Sequence, residues 1–285
     1  MSSRTAQVVY HVGAHKTGTS LVQSYLAQNR RALRKQDLTY LARGVLETWV
    51  RGIDGESDER DGLSRKLAEA FERRPNGVVV ASYENTLGIP FVAKRTGLYP
   101  KAAERAAALR EVLAPYSAKV VLSIRPQASF LESYYIQTVQ QGGYQTFDDW
   151  FGKLDRKALS WRPTIDALVT AFGREHVEVI DFGTIRNGAL AYLRNFLDRV
   201  DPDVRLDDAE APRDNASLSD KGLRIALAAN PHLTDKDERI ALRRFLQEHF
   251  PNTRYPRPVL LSEAQRARLD ERYTAEYEEI VREFG

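Results

Sequence analysis

Gly13-Ala14-His15-Lys16-Thr17-Gly18-Thr19-Ser20 is the segment whose residue types and spacing speak most directly of chemistry. It stands between an apolar run, Gln7–Gly13, and a helix-like run that begins at Thr19. A glycine turn that opens a helix presents backbone N–H groups to an anion at the positive end of the helix dipole. Lys16 adds a full positive charge, and Thr17, Thr19 and Ser20 add hydroxyl donors. Gly13 and Gly18 allow tight turning and close approach of a ligand. Their spacing is that of the ATP/GTP loop G-x-x-x-x-G-K-[ST], but Thr19 follows Gly18 and the lysine stands three places earlier. The segment is poorly made for a triphosphate with Mg²⁺ and better suited to a shorter phosphate-bearing group.

Two further constellations follow apolar runs. Arg125 closes Lys119–Arg125 (KVVLSIR), and Ser133 stands eight residues on. An arginine at the carboxyl end of a strand points into the crevice where open α/β sheets bind ligands. Its guanidinium can grip a phosphate bidentately, and a serine on the next helix can share it. Glu84 and Asn85 follow Gly77–Tyr83 (GVVVASY), again at a strand end. A partly desolvated glutamate there is a candidate proton acceptor. His15, inside the glycine loop, is the alternative base. His11 sits within a strand and reads as a packed core residue. His176, His232 and His249 have no metal-type spacing, so no metal site is expected. With no cysteine there is no thiolate nucleophile, disulfide framework, Fe–S cluster or Cys-based zinc site.

The elements that must position these residues alternate. Strands are predicted at Gln7–Gly13, Leu38–Ala42, Gly77–Tyr83, Lys119–Arg125 and His176–Asp181. Helices are predicted at Thr19–Lys35, Leu63–Arg73, Lys101–Leu113, Pro126–Gln141, Phe147–Leu154, Pro163–Phe172 and Ala189–Val200. The alternation favours a mostly parallel sheet covered on both faces. Gly52–Gly62 (GIDGESDERDG) is polar and glycine-punctuated and reads as a loop, a candidate lid. Beyond the proline-bounded Pro202–Pro212 only helices are expected. The last opens at Ser262 with a capping box to Gln265 and repeats Leu269, Tyr273, Tyr277, Ile280 and Phe284 on one face. No domain boundary is visible, and one domain over residues 1–285 is expected.

Tyr10–Leu26 (YHVGAHKTGTSLVQSYL), Arg125…Ser133-Tyr134-Tyr135 and Ser82-Tyr83-Glu84-Asn85 resemble the PAPS-dependent sulfotransferases, particularly the bacterial, carbohydrate-directed kind. PAPS is 3′-phosphoadenosine 5′-phosphosulfate. The resemblance implies a P-loop-like three-layer α/β fold, with a central mostly parallel sheet flanked by helices and a helical C-terminal part. It implies PAPS as donor, 3′,5′-ADP as product and no metal. Lys16 would contact the bridging and sulfuryl oxygens, Thr17, Gly18, Thr19 and Ser20 the 5′-phosphate, and Arg125 with Ser133 the 3′-phosphate. Glu84 would be the base, as in the carbohydrate-directed members, with His15 the runner-up because the cytosolic branch uses a histidine. The nucleotide-closing segment of that branch has no counterpart here. Arg213–Ser219 resembles an N-x-S-L-S segment of bacterial relatives, either a nucleotide-side loop or a helix cap. The adenine contacts stay unassigned.

Composition sets the wider bounds. Hydrophobic residues make up 42% and charged residues 28% of 285, which excludes wholesale disorder. The 42 basic and 39 acidic residues are well mixed, and basic groups such as Arg30-Arg31 and Arg243-Arg244 read as solvated helix faces. That argues for a small anionic ligand and against nucleic acid. Met1–Ala14 reads as a core strand rather than a signal peptide, no run is long enough to span a bilayer, and a cytoplasmic home is expected. The acceptor class implied is a carbohydrate, lipid-linked or other hydroxyl. Trp49, Tyr99, Tyr144, Trp150 and Trp161 can stack on sugar rings, with core packing the default. Two rival readings remain open. One is a P-loop nucleotide kinase using Asp181 for Mg²⁺, and the other is a non-catalytic binding protein of the same fold.

Overall fold

The computed structural model describes residues 6–55, 61–92, 95–205 and 217–285. In chain order the elements are β1 (Gln7–His11), α1 (Thr19–Gln28), α2 (Arg30–Lys35), β2 (Leu38–Tyr40), α3 (Arg43–Ile53), α4 (Gly62–Arg73), β3 (Val78–Ser82), α5 (Ala102–Leu113) and β4 (Ser117–Ile124). Then follow α6 (Gln127–Gln140), α7 (Phe147–Gly152), α8 (Arg162–Phe172), β5 (Val177–Asp181), α9 (Ala189–Val200), α10 (Asp220–Ala229), α11 (Lys236–His249) and α12 (Glu263–Phe284). The chain divides into two compact units. One comprises Met1–Arg125, Ala158–Pro212 and Glu276–Gly285, the other Pro126–Lys157 and Arg213–Ala275.

The first unit holds the whole sheet, five parallel strands in the order β2-β3-β1-β4-β5. β1 and β3 are Val-rich and buried almost throughout, as strands covered on both faces must be. On one face Val9, Val80, Val121 and Ile180 pack with Leu21, Val22 and Tyr25 of α1 and Tyr192, Leu193 and Phe196 of α9. α8 packs on β4 and β5 from the other face, with α5 against it. The result is the expected three-layer α/β arrangement. Chain order reverses at β1, whose neighbours are β3 and β4. Residues just beyond the ends of β1, β3 and β4 therefore meet at the switch point where such sheets bind ligands.

Several boundaries differ from expectation. The helix predicted over Thr19–Lys35 breaks at Asn29 into α1 and α2; there the Tyr25 carbonyl accepts from both the backbone N–H and the side-chain amide of Asn29. α3 was not foreseen and takes Gly52 and Ile53 out of the predicted Gly52–Gly62 loop, whose residues 56–60 lie outside the described set. Its signal was present, since Leu46, Trp49 and Val50 share a buried face, but two glycines and the lack of a cap obscured it.

The second unit is helical. Asn230 donates to the carbonyls of Val139 and Gly143, tying α10 to the end of α6. Ser219 caps α10 by accepting from the Gly222 N–H, so that part of the Arg213–Ser219 segment serves as a cap; residues 213–216 lie outside the described set. The Ser262–Gln265 box forms as expected. Among the described residues no helix is long and apolar enough to cross a membrane, and no cluster of His, Asp or Glu could hold a metal ion.

Candidate functional site

The loop after β1 is stitched to both neighbouring strands. Ala14 N–H donates to the Ser123 carbonyl, Ser123 N–H to the Gly13 carbonyl, and Tyr83 N–H to the His11 carbonyl. Gly13 has φ +103°, and a Cβ there would lie 3.1 Å from Glu84 Cα. The glycine thus lets the loop lie against the turn that carries Glu84. Gly18 has φ +82°, and a Cβ would meet Tyr192 at 3.1 Å and Phe182 at 3.2 Å. Both glycines are fixed by close approach as well as by backbone conformation.

Lys16 lies at the tip of the loop, with left-handed backbone (φ 60°), and is half-buried. The Thr17 and Thr19 hydroxyls turn inward and donate to the Ala14 carbonyl, at 2.7 and 3.2 Å. Both side chains are buried, whereas Ser20 is exposed in the first turn of α1. The first-turn N–H groups of α1 have no intrahelical acceptor, as at any helix start. The loop therefore offers a cation, a hydroxyl and a helix N-terminus, with the two threonines bracing its shape.

Arg125 follows β4. Its Nη1 donates to the Lys16 carbonyl at 3.2 Å, and its guanidinium lies over the Phe182 ring at 5.3 Å. Trp161 Nε1 donates to the Arg125 carbonyl and fixes the backbone there. The first unit thus brings Lys16 and Arg125 together. Ser133 is half-buried on α6 in the second unit, and Tyr135, two residues on, is buried with its hydroxyl on the Gln145 carbonyl.

Glu84 lies in the turn after β3 with its side chain 18% exposed. Gln23 Nε2, from α1, donates both to Glu84 Oε2 at 3.2 Å and to the Ser82 carbonyl at 2.9 Å. Arg43, the first residue of α3, approaches Glu84 Oε1 at 3.7 Å and lies over the Tyr83 ring. Glu84 keeps solvent access while Gln23 holds one of its oxygens.

The two histidines of the region have opposite settings. His15 has Nε2 2.9 Å from Asn85 Oδ1 and Nδ1 3.0 Å from the Tyr99 hydroxyl, which also accepts the His15 backbone N–H. Burial pushes its pKa below the usual histidine value, against the opposing charge of Glu84. A neutral ring with Nε2–H donating to Asn85 and Nδ1 accepting from Tyr99 satisfies both of these partners.

His11 is fully buried, as expected, and its pKa is lowered to about 4 by burial. It is the centre of a chain of hydrogen bonds across three strands. Tyr192 donates to the Thr17 carbonyl at 2.7 Å, so its oxygen must accept from Ser123, 2.8 Å away. Ser123 then accepts from His11 Nε2–H at 3.2 Å, and His11 Nδ1 accepts from Ser82 at 2.9 Å. This directional chain fixes the neutral Nε2–H tautomer and ends on the glycine loop.

Asp181 accepts from the Gly183 N–H and from the Tyr277 hydroxyl, both at 2.6 Å. A carboxylate so employed is a structural cap for the turn after β5, which speaks against the magnesium role of the kinase reading. Among the aromatics, Trp49, Tyr99 and Trp161 are core residues, whereas Tyr144 is 62% exposed.

No family model and no curated protein matches the chain. Two solved structures similar to it are sulfotransferases. One is a sulfotransferase from Alicyclobacillus acidocaldarius, 17% identical, covering 86% of this chain and 97% of its own with a TM-score of 0.45. The other is the sulfotransferase domain from the curacin biosynthetic pathway, 12% identical, covering 95% of this chain and 99% of its own with a TM-score of 0.40.

Sequence reasoning did not find Gln23, Arg43 or Tyr192, and weighed Tyr99 only as an aromatic. Gln23 had a local signal, because it lies one turn along α1 from Thr19. Tyr192 had none, since its hydroxyl reaches Thr17 across 175 residues of sequence.

Proposed function

We propose that the chain is a PAPS-dependent sulfotransferase acting on a hydroxyl acceptor of carbohydrate type. The observation that carries the reading is the flanking of one glycine loop by two groups of opposite chemistry. On the β4 side Arg125 binds the Lys16 carbonyl, and on the β3 side the Glu84 backbone closes against Gly13. A loop built to receive an anion, with a solvent-reachable carboxylate beside it, suits transfer of an anionic group to a hydroxyl. The loop's cation, helix start and close-packed glycines fit a phosphate-bearing donor, which would supply the sulfuryl group.

Lys16 and the first-turn N–H groups of α1 hold the 5′ side of the donor, and Arg125 the 3′-phosphate. Glu84, oriented by Gln23, takes the acceptor's proton as the acceptor oxygen bonds to sulfur. The sulfur–oxygen bond to the nucleotide breaks in the same in-line displacement, and 3′,5′-ADP leaves. Lys16 and the helix start stabilise negative charge developing on the bridging oxygen by preorganised electrostatics. His15 braces the loop from below and takes no proton.

Thermal melting with 3′,5′-ADP, without metal, tests the donor site. A ligand at ~100 times its Kd stabilises by about 2.7 kcal/mol. The expected result is a metal-independent rise of several degrees that Arg125→Ala abolishes. A rise only with ATP–Mg²⁺ turns the reading towards a kinase, and no rise with either turns it towards a binding fold without this donor.

A further inference from the structure

Glu84 is the proposed base, yet a cation stands beside it that the transfer itself does not need. Arg43 Nη2 lies 3.7 Å from Glu84 Oε1, and the Arg43 side chain is 49% exposed. An ion pair that long and that open is worth little, at most about 1 kcal/mol, and is easily exchanged for another anion. The pair is not there to hold the fold. Arg43 lies in turn over the face of Tyr83, 5.4 Å from its centroid, and is held at the mouth of the site by that stacking and by the start of α3.

A second arginine repeats the arrangement on the neighbouring strand. Arg30 lies over the face of Tyr40 at 5.3 Å, at the end of β2. Its Nε is buried without a hydrogen-bond acceptor among the described residues, and no carboxylate among them pairs with it. Tyr40 ends β2 and Tyr83 follows β3, its neighbour in the sheet, so the two arginine–tyrosine pairs stand at the same end of adjacent strands. Arginines set on aromatic faces present flat, weakly hydrated forks suited to a carboxylate or sulfate ester.

We infer that the acceptor is an acidic sugar, and that Arg43, with Arg30 behind it, binds its anionic group. This rests on the sulfotransferase reading above and names the acceptor class for the same site. Arrival of the acceptor's anion gives Arg43 a new partner and frees Glu84 Oε1 to take the hydroxyl proton. Binding of the correct acceptor and release of the base are then one event. A neutral sugar cannot make the exchange and meets a base still paired with Arg43.

The test compares 4-nitrophenyl β-D-glucuronide with its methyl ester, which carry the same hydroxyls and differ in one charge. Transfer from radiolabelled PAPS is measured for each. The expected result is a kcat/KM for the glucuronide about 10- to 100-fold above that of the ester, the range of one charge-assisted contact. Arg43→Glu should erase or invert the preference, mainly through KM, and Arg43→Lys should restore part of it. Equal use of the two probes, or a preference that survives Arg43→Glu, overturns the inference. Transfer to neither probe overturns it as well, provided 3′,5′-ADP still raises Tm. That ADP shift also reports that each variant is folded. Its absence from the unmodified protein defeats the donor reading instead, and so separates the two failures.

Discussion

The two flanks of the candidate site are built differently. The glycine loop is braced from several sides: Ser123 donates its N–H to the Gly13 carbonyl and accepts from the Ala14 N–H, Tyr99 takes the His15 N–H, and Tyr192 and Arg125 bind the Thr17 and Lys16 carbonyls. The Glu84 rim has one firm contact, from Gln23, and one loose ion pair with half-exposed Arg43. A loop that must stabilise charge at the moment of transfer gains from fixed dipoles that need not reorganise. A rim that must accept a partner gains from a contact cheap to break. On the proposed function, the rigid flank suits the donor and the adjustable one the acceptor.

Removing the loop's cation should give the largest effect. Lys16→Ala is expected to lower kcat by about 10²–10³, the cost of deleting one preorganised charge-stabilising donor. The 3′,5′-ADP melting shift should survive in large part, because the sulfuryl-side contact strengthens in the transition state. Steady-state kinetics beside melting curves distinguish this from the KM-dominated effect expected at Arg43. A turnover number unchanged in Lys16→Ala would break the comparison at its firmest point.

Protonating His11 attacks the same flank from beneath. Its pKa falls from 6.5 unfolded to about 4 folded, because burial disfavours the charged ring. The unfolded chain therefore binds more protons between those values, and stability rises with pH across that window. The His11 contribution is complete above pH 6.5 and is lost as pH falls towards 4, a span of about 3 kcal/mol at 1.36 kcal/mol per unit. Denaturant unfolding of the unmodified protein and His11→Asn, from pH 7 to pH 4, should show their stability difference shrinking by that order. A difference constant with pH would mean that the chain from Ser82 to Thr17 does not depend on a neutral ring.

Much of this flank was legible in the sequence, because its signals are local. The glycines at 13 and 18, the strand before them and the helix after them lie within one stretch, and Arg125 and Glu84 each close an apolar run. The sheet was legible for the same reason: doubly buried parallel strands read as unbroken runs such as VVVAS. What failed was non-local or competitive. Tyr192 and Tyr99 reach the loop from distant segments, and no spacing rule announces them. The inward turn of Thr17 and Thr19 depends on the Ala14 carbonyl being free to accept, a fact of loop geometry alone. The break at Asn29 falls where a side chain bonds its own helix's carbonyl, a local detail that helical periodicity does not register. Arg30 reads as an ordinary solvated cation and Arg43 carries no signal of its own until their tyrosines are set side by side by the strands.

The smallest effect is the sharpest probe of bracing, because it removes one oxygen atom. Tyr192 is fully buried; its hydroxyl donates to the Thr17 carbonyl and accepts from Ser123. Tyr192→Phe keeps the ring against Gly18 and Phe182 and leaves the Thr17 carbonyl without that donor. An unsatisfied buried acceptor costs about 1–3 kcal/mol, and Ser123 partly compensates by keeping His11, so the stability loss should fall at the low end. If the loop's shape depends on that bond, the variant should lose kcat and weaken the 3′,5′-ADP shift beyond what its lower Tm explains, while the ratio of glucuronide to ester use stays unchanged. A Tyr192→Phe protein that changes acceptor preference instead would show that the two flanks are mechanically one, and the division between a fixed donor side and an adjustable acceptor side would fail.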